Sequence, residues 1–354
     1  MSKLFEQVKL GKNILKNRIA MAPMTRGRAE LDGTPGEFTP KYYGQRSSVG
    51  LIITEGTQPS ADGQGYIFSP GIYTDEHVAG WKKVTEEVHK NSGHIFIQLM
   101  HVGRMSHPDN SPNKHESVAP SAIAPEEKIF TPTGMQDIPT PKEMTVEDIQ
   151  ETISDFVKAA KKAIEAGADG VEIHGANGYL LHQFLGGNTN LRTDSYGGSV
   201  ENRAKFLIEV ATAVTNEIGA DKVGFRISPM NGLGGVQEGE QFVELYSYLI
   251  QELNKLNLAY LHVMHVVPDE FLLNVVRNQW DSVLIVNRPG RKPQELANDI
   301  NAGLADIVSV GSLVLANPDF VTRLKEGKDF NPINRDTLYI KNGEVGYTDY
   351  PTLD

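Results

Sequence analysis

Eight short apolar runs, each ending on a polar or small residue and separated from the next by a stretch able to form a helix, constrain this chain more than any other feature. The runs lie at 19–21, 51–54 (LIIT), 94–99 (HIFIQL), 170–173, 223–227 (VGFRI), 260–263, 283–286 and 307–310. Helical patterns separate them at 40–48, 81–90, 145–167, 200–218, 241–256, 271–278 and 293–302. In the third, Thr145 with Asp148 forms a start signal, and Ile149, Ile153, Phe156, Val157, Ala160 and Ile164 recur on one face before Gly167. Buried strands alternating with helices predict an α/β protein, specifically a (β/α)8 TIM barrel. A doubly wound sheet is the runner-up, disfavoured because no G-x-G-x-x-G turn follows an early strand. Leu4 to Asn17 alternates around Gly11 and Lys12, which predicts an N-terminal hairpin plugging the bottom of the barrel. After strand three, residues 104–144 are rich in Pro, Ser, Asn and Thr, with Ile123, Ile129 and Phe130 as candidates for short strands. An excursion this long is expected to cap the site. The whole of 1–354 is read as one barrel domain, since such barrels exceed the usual domain length.

The chain has no cysteine. Disulfides, iron–sulfur clusters, thiolate zinc sites and cysteine nucleophiles are thereby excluded, and redox chemistry must belong to a bound organic cofactor. A formal charge of −11 argues against nucleic acid or anionic membrane as partners. The opening MSKLFEQVKL is too polar for a signal peptide, and no apolar run approaches the ~18 residues of a membrane span. The expected location is the cytoplasm, and a homo-oligomer is compatible with this surface.

Barrel chemistry sits at the carboxyl ends of the strands. Strand four ends at His174, followed by Asn177 and Tyr179 in the stretch VEIHGANGYLLHQFLGGNTNLRTDSYGGSVENR. An imidazole and a carboxamide three apart share a face of a helical turn and suit a carbonyl or nitro oxygen. The phenol, with an ordinary pKa of ~10, is a proton donor. Thr25, Gln98 and Arg226 fall at the ends of strands one, three and five. Beyond strands seven and eight, Asn287 to Arg291 and Gly311–Ser312 bring glycines and two arginines where barrels often hold phosphate. The bland alternatives are a helix cap for Thr25, a satisfied buried amide for Gln98 and a barrel ion pair for Arg226.

These residues resemble the Old Yellow Enzyme family of flavin reductases. The resemblance rests on APMTR (Ala22 to Arg26), QLMHVGR (Gln98 to Arg104), HGANGYLLHQFL (His174 to Leu185), NLRTDSYGGSVENR (Asn190 to Arg203), VGFRIS and GYTDYP (Gly346 to Pro351). It implies non-covalent FMN, reduced by NADPH or NADH and reoxidised by an activated alkene in a ping-pong cycle: an NADPH-dehydrogenase-like ene-reductase acting on α,β-unsaturated carbonyl compounds, with nitro compounds as further candidates. It places Ala22, Pro23, Met24, Thr25 and Gly56 against the flavin, with Thr25 at its O4 region, Gln98 on the pyrimidine edge and Arg226 beside N1 and the C2 carbonyl. Gly290, Arg291, Gly311 and Ser312 fall at the phosphate. His174 and Asn177 grip the substrate oxygen while hydride passes from flavin N5 to the β-carbon, and Tyr179 protonates the α-carbon. Tyr66, Met100 and Tyr350 shape the substrate pocket. Three departures stand out: Met100 where many members have tryptophan, Ser312 where arginine is common, and Pro289 where many have glycine. Arg288 or Arg291 is expected to supply the missing charge, and weaker FMN retention follows from serine's lack of a forked donor. A zinc hydrolase built on His101, His174, His182, His262 and His265 competes, at poor ligand spacing. So does a catalytically silent flavin binder, against which the intact His174, Asn177 and Tyr179 argue.

Overall fold

The computed structural model describes residues 2–339 and 341–353. All eight predicted strands form: β1 (Ile19–Met21), β2 (Leu51–Ile53), β3 (Ile95–Leu99), β4 (Gly170–His174), β5 (Val223–Ile227), β6 (Tyr260–Met264), β7 (Val283–Asn287) and β8 (Ile307–Val310). They close into a barrel in which every neighbour is parallel and β8 pairs with β1. The fold is a (β/α)8 TIM barrel.

Alternation along each strand sorts side chains to two destinations. Outward residues such as Ile97, Ile173, Phe225, Val263 and Val286 join the helices in the large core. Inward residues from the lower part of the barrel, Ala20, Leu51, Ile53, Phe96, Tyr260, Ile285 and Ile307, form a separate apolar cluster. Leu10 and Leu15, from the antiparallel hairpin Val8–Leu10 and Asn13–Leu15, are fully buried in that same cluster. The hairpin therefore plugs the barrel as expected. Because parallel strands are buried on both faces, their sequences read as continuous apolar runs, and a polar residue inside one must be answered by another within the barrel.

The helix Val146–Glu165 begins at the Thr145–Asp148 capping box, and Val200–Ile218 has the predicted bounds. The second helix starts at Asp75, six residues before the predicted Trp81, capped by Thr74; its first turn is acidic and polar, so apolar spacing does not reveal it. The predicted helix at 293–302 is instead a 3-10 turn at Pro293–Glu295 and a single α turn at Asn298–Asn301. There Asp299 is buried and bonded to Arg288 and Arg291, a tertiary constraint that outweighs local propensity. Helices at Leu180–Leu185, Ser312–Ala316 and Phe320–Glu326 were not predicted. The excursion after β3 carries an antiparallel hairpin, Lys128–Thr131 with Gly134–Asp137, which includes Ile129 and Phe130 but not Ile123. Ile129 and Ile138 pack with Met100, Val102 and Met105 against Tyr66 and Tyr179, so the excursion does cover the carboxyl end of the barrel.

Candidate active site

Above the apolar plug lies a layer of polar side chains. Glu172, fully buried on β4, accepts from Gln98 Nε2 at 2.8 Å on one oxygen and bonds His262 Nδ1 at 2.8 Å through the other. His262 Nε2 lies 2.8 Å from Ser309 Oγ, which completes a chain across four strands. Burial alone would raise the Glu172 carboxyl, but the bond to His262, the Arg226 charge and the Gln98 amide together hold it below the ordinary value. Burial and Arg226 push His262 down. The layer is thus a carboxylate beside a neutral imidazole, and with its N–H2 committed to Glu172, Gln98 retains its carbonyl oxygen for a ligand's N–H.

One layer nearer the mouth, His174 and Arg226 are register partners on β4 and β5, each only 3% exposed. Arg226 Nη2 reaches nothing better than Met264 Sδ at 3.6 Å, its Nε has no partner, and His174 Nδ1 has none either. A buried donor or acceptor left unmatched costs about 1–3 kcal/mol. Two such atoms side by side mark a surface completed by a ligand rich in acceptors. Burial first, then the charge of Arg226, drives His174 well below its usual pKa, so it is a neutral imidazole.

The loop after β4 turns sharply. Asn177 and Gly178 both adopt positive φ (57° and 81°), and a Cβ on Gly178 would lie 2.2 Å from Leu233 O. Only glycine allows that approach. The turn brings Tyr179 to the N-terminus of Leu180–Leu185, its ring 5.2 Å from that of His174 and its hydroxyl 3.0 Å from that of Tyr66. Asn177 N donates to Ser228 Oγ at 2.7 Å, and its Oδ1 accepts from Asn231 Nδ2 at 3.1 Å. Burial, then the phenols of Tyr66 and Tyr339, pushes Tyr179 well above 10, so it is a protonated donor.

Ala22 is buried and donates to Val310 O, while Pro23, Met24 and Thr25 are half-buried beyond β1. Met100 packs so closely on Gly56 that a Cβ there would sit 2.4 Å from its sulfur. Gly311 faces Met24, and Ser312 is exposed. Gly290 is also exposed, and Arg291 bonds Asp299 at 2.5 Å. Arg288 is likewise bonded to Asp299 and Glu270, so the charge expected of these arginines is already matched by carboxylates. Tyr350 accepts a bond from Asn334 N and lies near Arg46. A second tail tyrosine, Tyr339, is 70% exposed and close enough to bear on the phenols of both Tyr66 and Tyr179. Sequence reading missed it, along with Glu172 and Asn231; only the period-two spacing of Glu172 and His174 within β4 was a usable signal.

The histidines of the zinc reading are dispersed. His101 Nδ1 accepts from Gly103 N, His182 bonds Glu238, His262 bonds Glu172, and His265 meets Asp269 O. Among the described residues, no group of three metal-ligating side chains converges. None of their helices is long and apolar enough to cross a membrane.

Comparison with known proteins agrees with this geometry. Residues 3–331 match the model of the NADH:flavin oxidoreductase / NADH oxidase family. The chain is 41% identical over 352 residues to a probable flavin mononucleotide-dependent alkene reductase of Leishmania infantum, covering 97% of this chain and 96% of that protein. Its structure resembles that of morphinone reductase in complex with tetrahydroNAD, with a TM-score of 0.94, 40% identity and coverage of 99% and 98%. It also resembles the old yellow enzyme homologue from Zymomonas mobilis, with a TM-score of 0.95, 34% identity and coverage of 99% and 100%.

Proposed function

Since the chain belongs to the Old Yellow Enzyme family, within the NADH:flavin oxidoreductase / NADH oxidase group, we propose that it is an FMN-dependent reductase of the activated C=C bond of α,β-unsaturated carbonyl compounds, using NADPH or NADH. The observation that carries this reading is the pair of unmatched buried atoms, Arg226 Nε and His174 Nδ1, beside a phenol held protonated. FMN fits these residues: Arg226 supplies a fixed cation for the N1 and C2 carbonyl edge, Gln98 an acceptor for the ring N–H, and Thr25 and Gly56 the face beyond β1 and β2. Bound FMN, once reduced, supplies the hydride for the β-carbon.

The remaining work falls to side chains of this chain. Neutral His174 and the Asn177 amide donate to the substrate oxygen, where negative charge grows as the alkene is reduced. Tyr179 gives its hydroxyl proton to the α-carbon, and Tyr66, its hydroxyl 3.0 Å away, orients the phenol. Met100, Ile129 and Ile138 shield the same region from water. Nitro compounds satisfy the same donors and are a second substrate class.

The test is the visible spectrum of purified protein under anaerobic conditions, with NADPH and then cyclohexenone added. An oxidised flavin band that bleaches and then returns is expected. A band that bleaches and never returns removes the enone, and no band after FMN is supplied removes the flavoenzyme.

A further inference from the structure

The amide of Asn177 is held from two sides, and both holds lead to one buried carboxylate. On the backbone side, Gly178 N donates to His182 Nδ1 at 2.9 Å, which leaves His182 Nε2 as the protonated nitrogen; it lies 3.1 Å from Glu238 Oε1. On the side-chain side, Asn231 Nδ2 donates to Asn177 Oδ1 at 3.1 Å, and the adjoining Met230 N donates to that same Glu238 oxygen at 3.0 Å. Tyr246 adds its hydroxyl at 2.8 Å. Glu238 is 3% exposed, and Arg203 Nη1 bonds its backbone oxygen at 2.9 Å, so it is anchored from the helix Val200–Ile218.

We propose that Glu238 is a positioning residue for the reaction: one carboxylate oxygen ties the turn carrying Asn177 to the loop carrying Asn231, and so fixes which end of the Asn177 amide faces the substrate. A free carboxamide can rotate its oxygen and nitrogen into exchange, and only the nitrogen end donates to a carbonyl. With Oδ1 taken by Asn231, the amide keeps its N–H2 for the ligand. Asn177 and Met230 both hold positive φ (57° and 59°), conformations that cost energy in non-glycine residues and persist only where the surroundings impose them. The three donors converging on Glu238 Oε1 are that imposition. The inference rests on the reading of Asn177 as an oxygen-binding residue.

The experiment is the dissociation constant of p-chlorophenol for the FMN-loaded enzyme, followed by perturbation of the flavin spectrum, for single and paired variants. Glu238→Ala and Asn231→Ala should each weaken binding about three- to tenfold, the effect of one lost or misdirected hydrogen bond. Glu238→Gln keeps an oxygen acceptor in place and should recover most of the affinity. In an Asn177→Ala background, adding Glu238→Ala or Asn231→Ala should change affinity by less than about twofold, because the group they orient is gone. Asn231→Ala carries the test alone should Glu238→Ala not fold. Unchanged affinity in the single variants, with only a lower melting temperature, overturns the proposal and leaves Glu238 a structural residue. So does an undiminished effect in the Asn177→Ala background. Unchanged affinity in Asn177→Ala itself removes the oxygen-binding reading, and the proposal with it.

Discussion

Tyr179 is a donor because its surroundings, Tyr66 among them at 3.0 Å, penalise the phenolate and keep the proton in place. Tyr179→Phe should therefore slow alkene reduction about 10²- to 10⁴-fold, the usual contribution of a general acid, while flavin reduction by NADPH keeps its rate. Stopped-flow absorbance separates the two half-reactions, and equal slowing of both would refute the assignment. At this scale the sequence was legible wherever spacing alone sufficed: His174, Asn177 and Tyr179 lie on one turn of chain. It was silent where the answer lay across the barrel, as with Glu172, whose partners Gln98 and His262 come from other strands. Tyr350 and Tyr339 both sit in irregular chain with no periodicity to choose between them. The course of the tail that carries them is set by Arg26 and Arg28, which bond the carbonyls of Thr337, Leu338, Gly343, Val345 and Gly346. Ser312 is a simpler case. With Arg288 and Arg291 tied to carboxylates, neither offers a free guanidinium in place of the arginine that the family resemblance leads one to expect at Ser312. Ser312→Arg should raise the fraction of FMN surviving desalting, and a wild-type protein that already keeps all its flavin would count against that account.

Among the elements, the N-terminal hairpin shows how a pattern of a few residues predicts a packing role. Leu10 and Leu15 alternate with exposed neighbours, so one face of the ribbon is apolar, and it packs on the inward residues at the lower end of the barrel. Leu10→Ala should cost about 2–5 kcal/mol in urea unfolding, since the closed barrel cannot collapse onto the cavity. Ile14→Ala in the same hairpin, where the side chain is 64% exposed, should stay within about 0.5 kcal/mol. Comparable losses at both positions would show that the hairpin contributes through its backbone and not as a plug. The strands were easy to find because both of their faces are buried. The helix at 293–302 was misjudged for the converse reason: its fate depends on Asp299, whose partners come from the loop after β7.

For the whole molecule, Glu55 links the barrel to its C-terminal tail and should govern the dependence of stability on pH. It is 3% exposed at the end of β2, accepts from Arg26 N at 3.0 Å, and has the Tyr43 hydroxyl at 3.4 Å. Burial raises its carboxyl from the usual 4.5 to about 7, against the opposing bond from Arg26 N and the Arg26 charge. Between those values the folded protein holds a proton that the unfolded chain has released, so stability is full below pH 4.5 and falls as the pH rises towards 7. The contribution of Glu55 to this loss between pH 5 and pH 8 should be about 2–3 kcal/mol. Surface carboxylates act with the opposite sign and in a different range. Asp148, lowered by the Thr145 backbone N–H, and Asp194, lowered by Arg192, lose their contribution only as the pH falls below the ordinary carboxylate values. Glu55→Gln keeps the shape and the acceptor but cannot ionise, so the excess of its urea-unfolding free energy over wild type should grow by about 2–3 kcal/mol from pH 5 to pH 8, a difference in which the depressed histidines His77, His174, His262 and His265, acting with the opposite sign below 6.5, cancel. A wild-type slope that survives the substitution would place the titrating group elsewhere. A difference that grows with pH in this way would show that the joint between β2, Arg26 and the tail is most stable when this carboxyl keeps its proton.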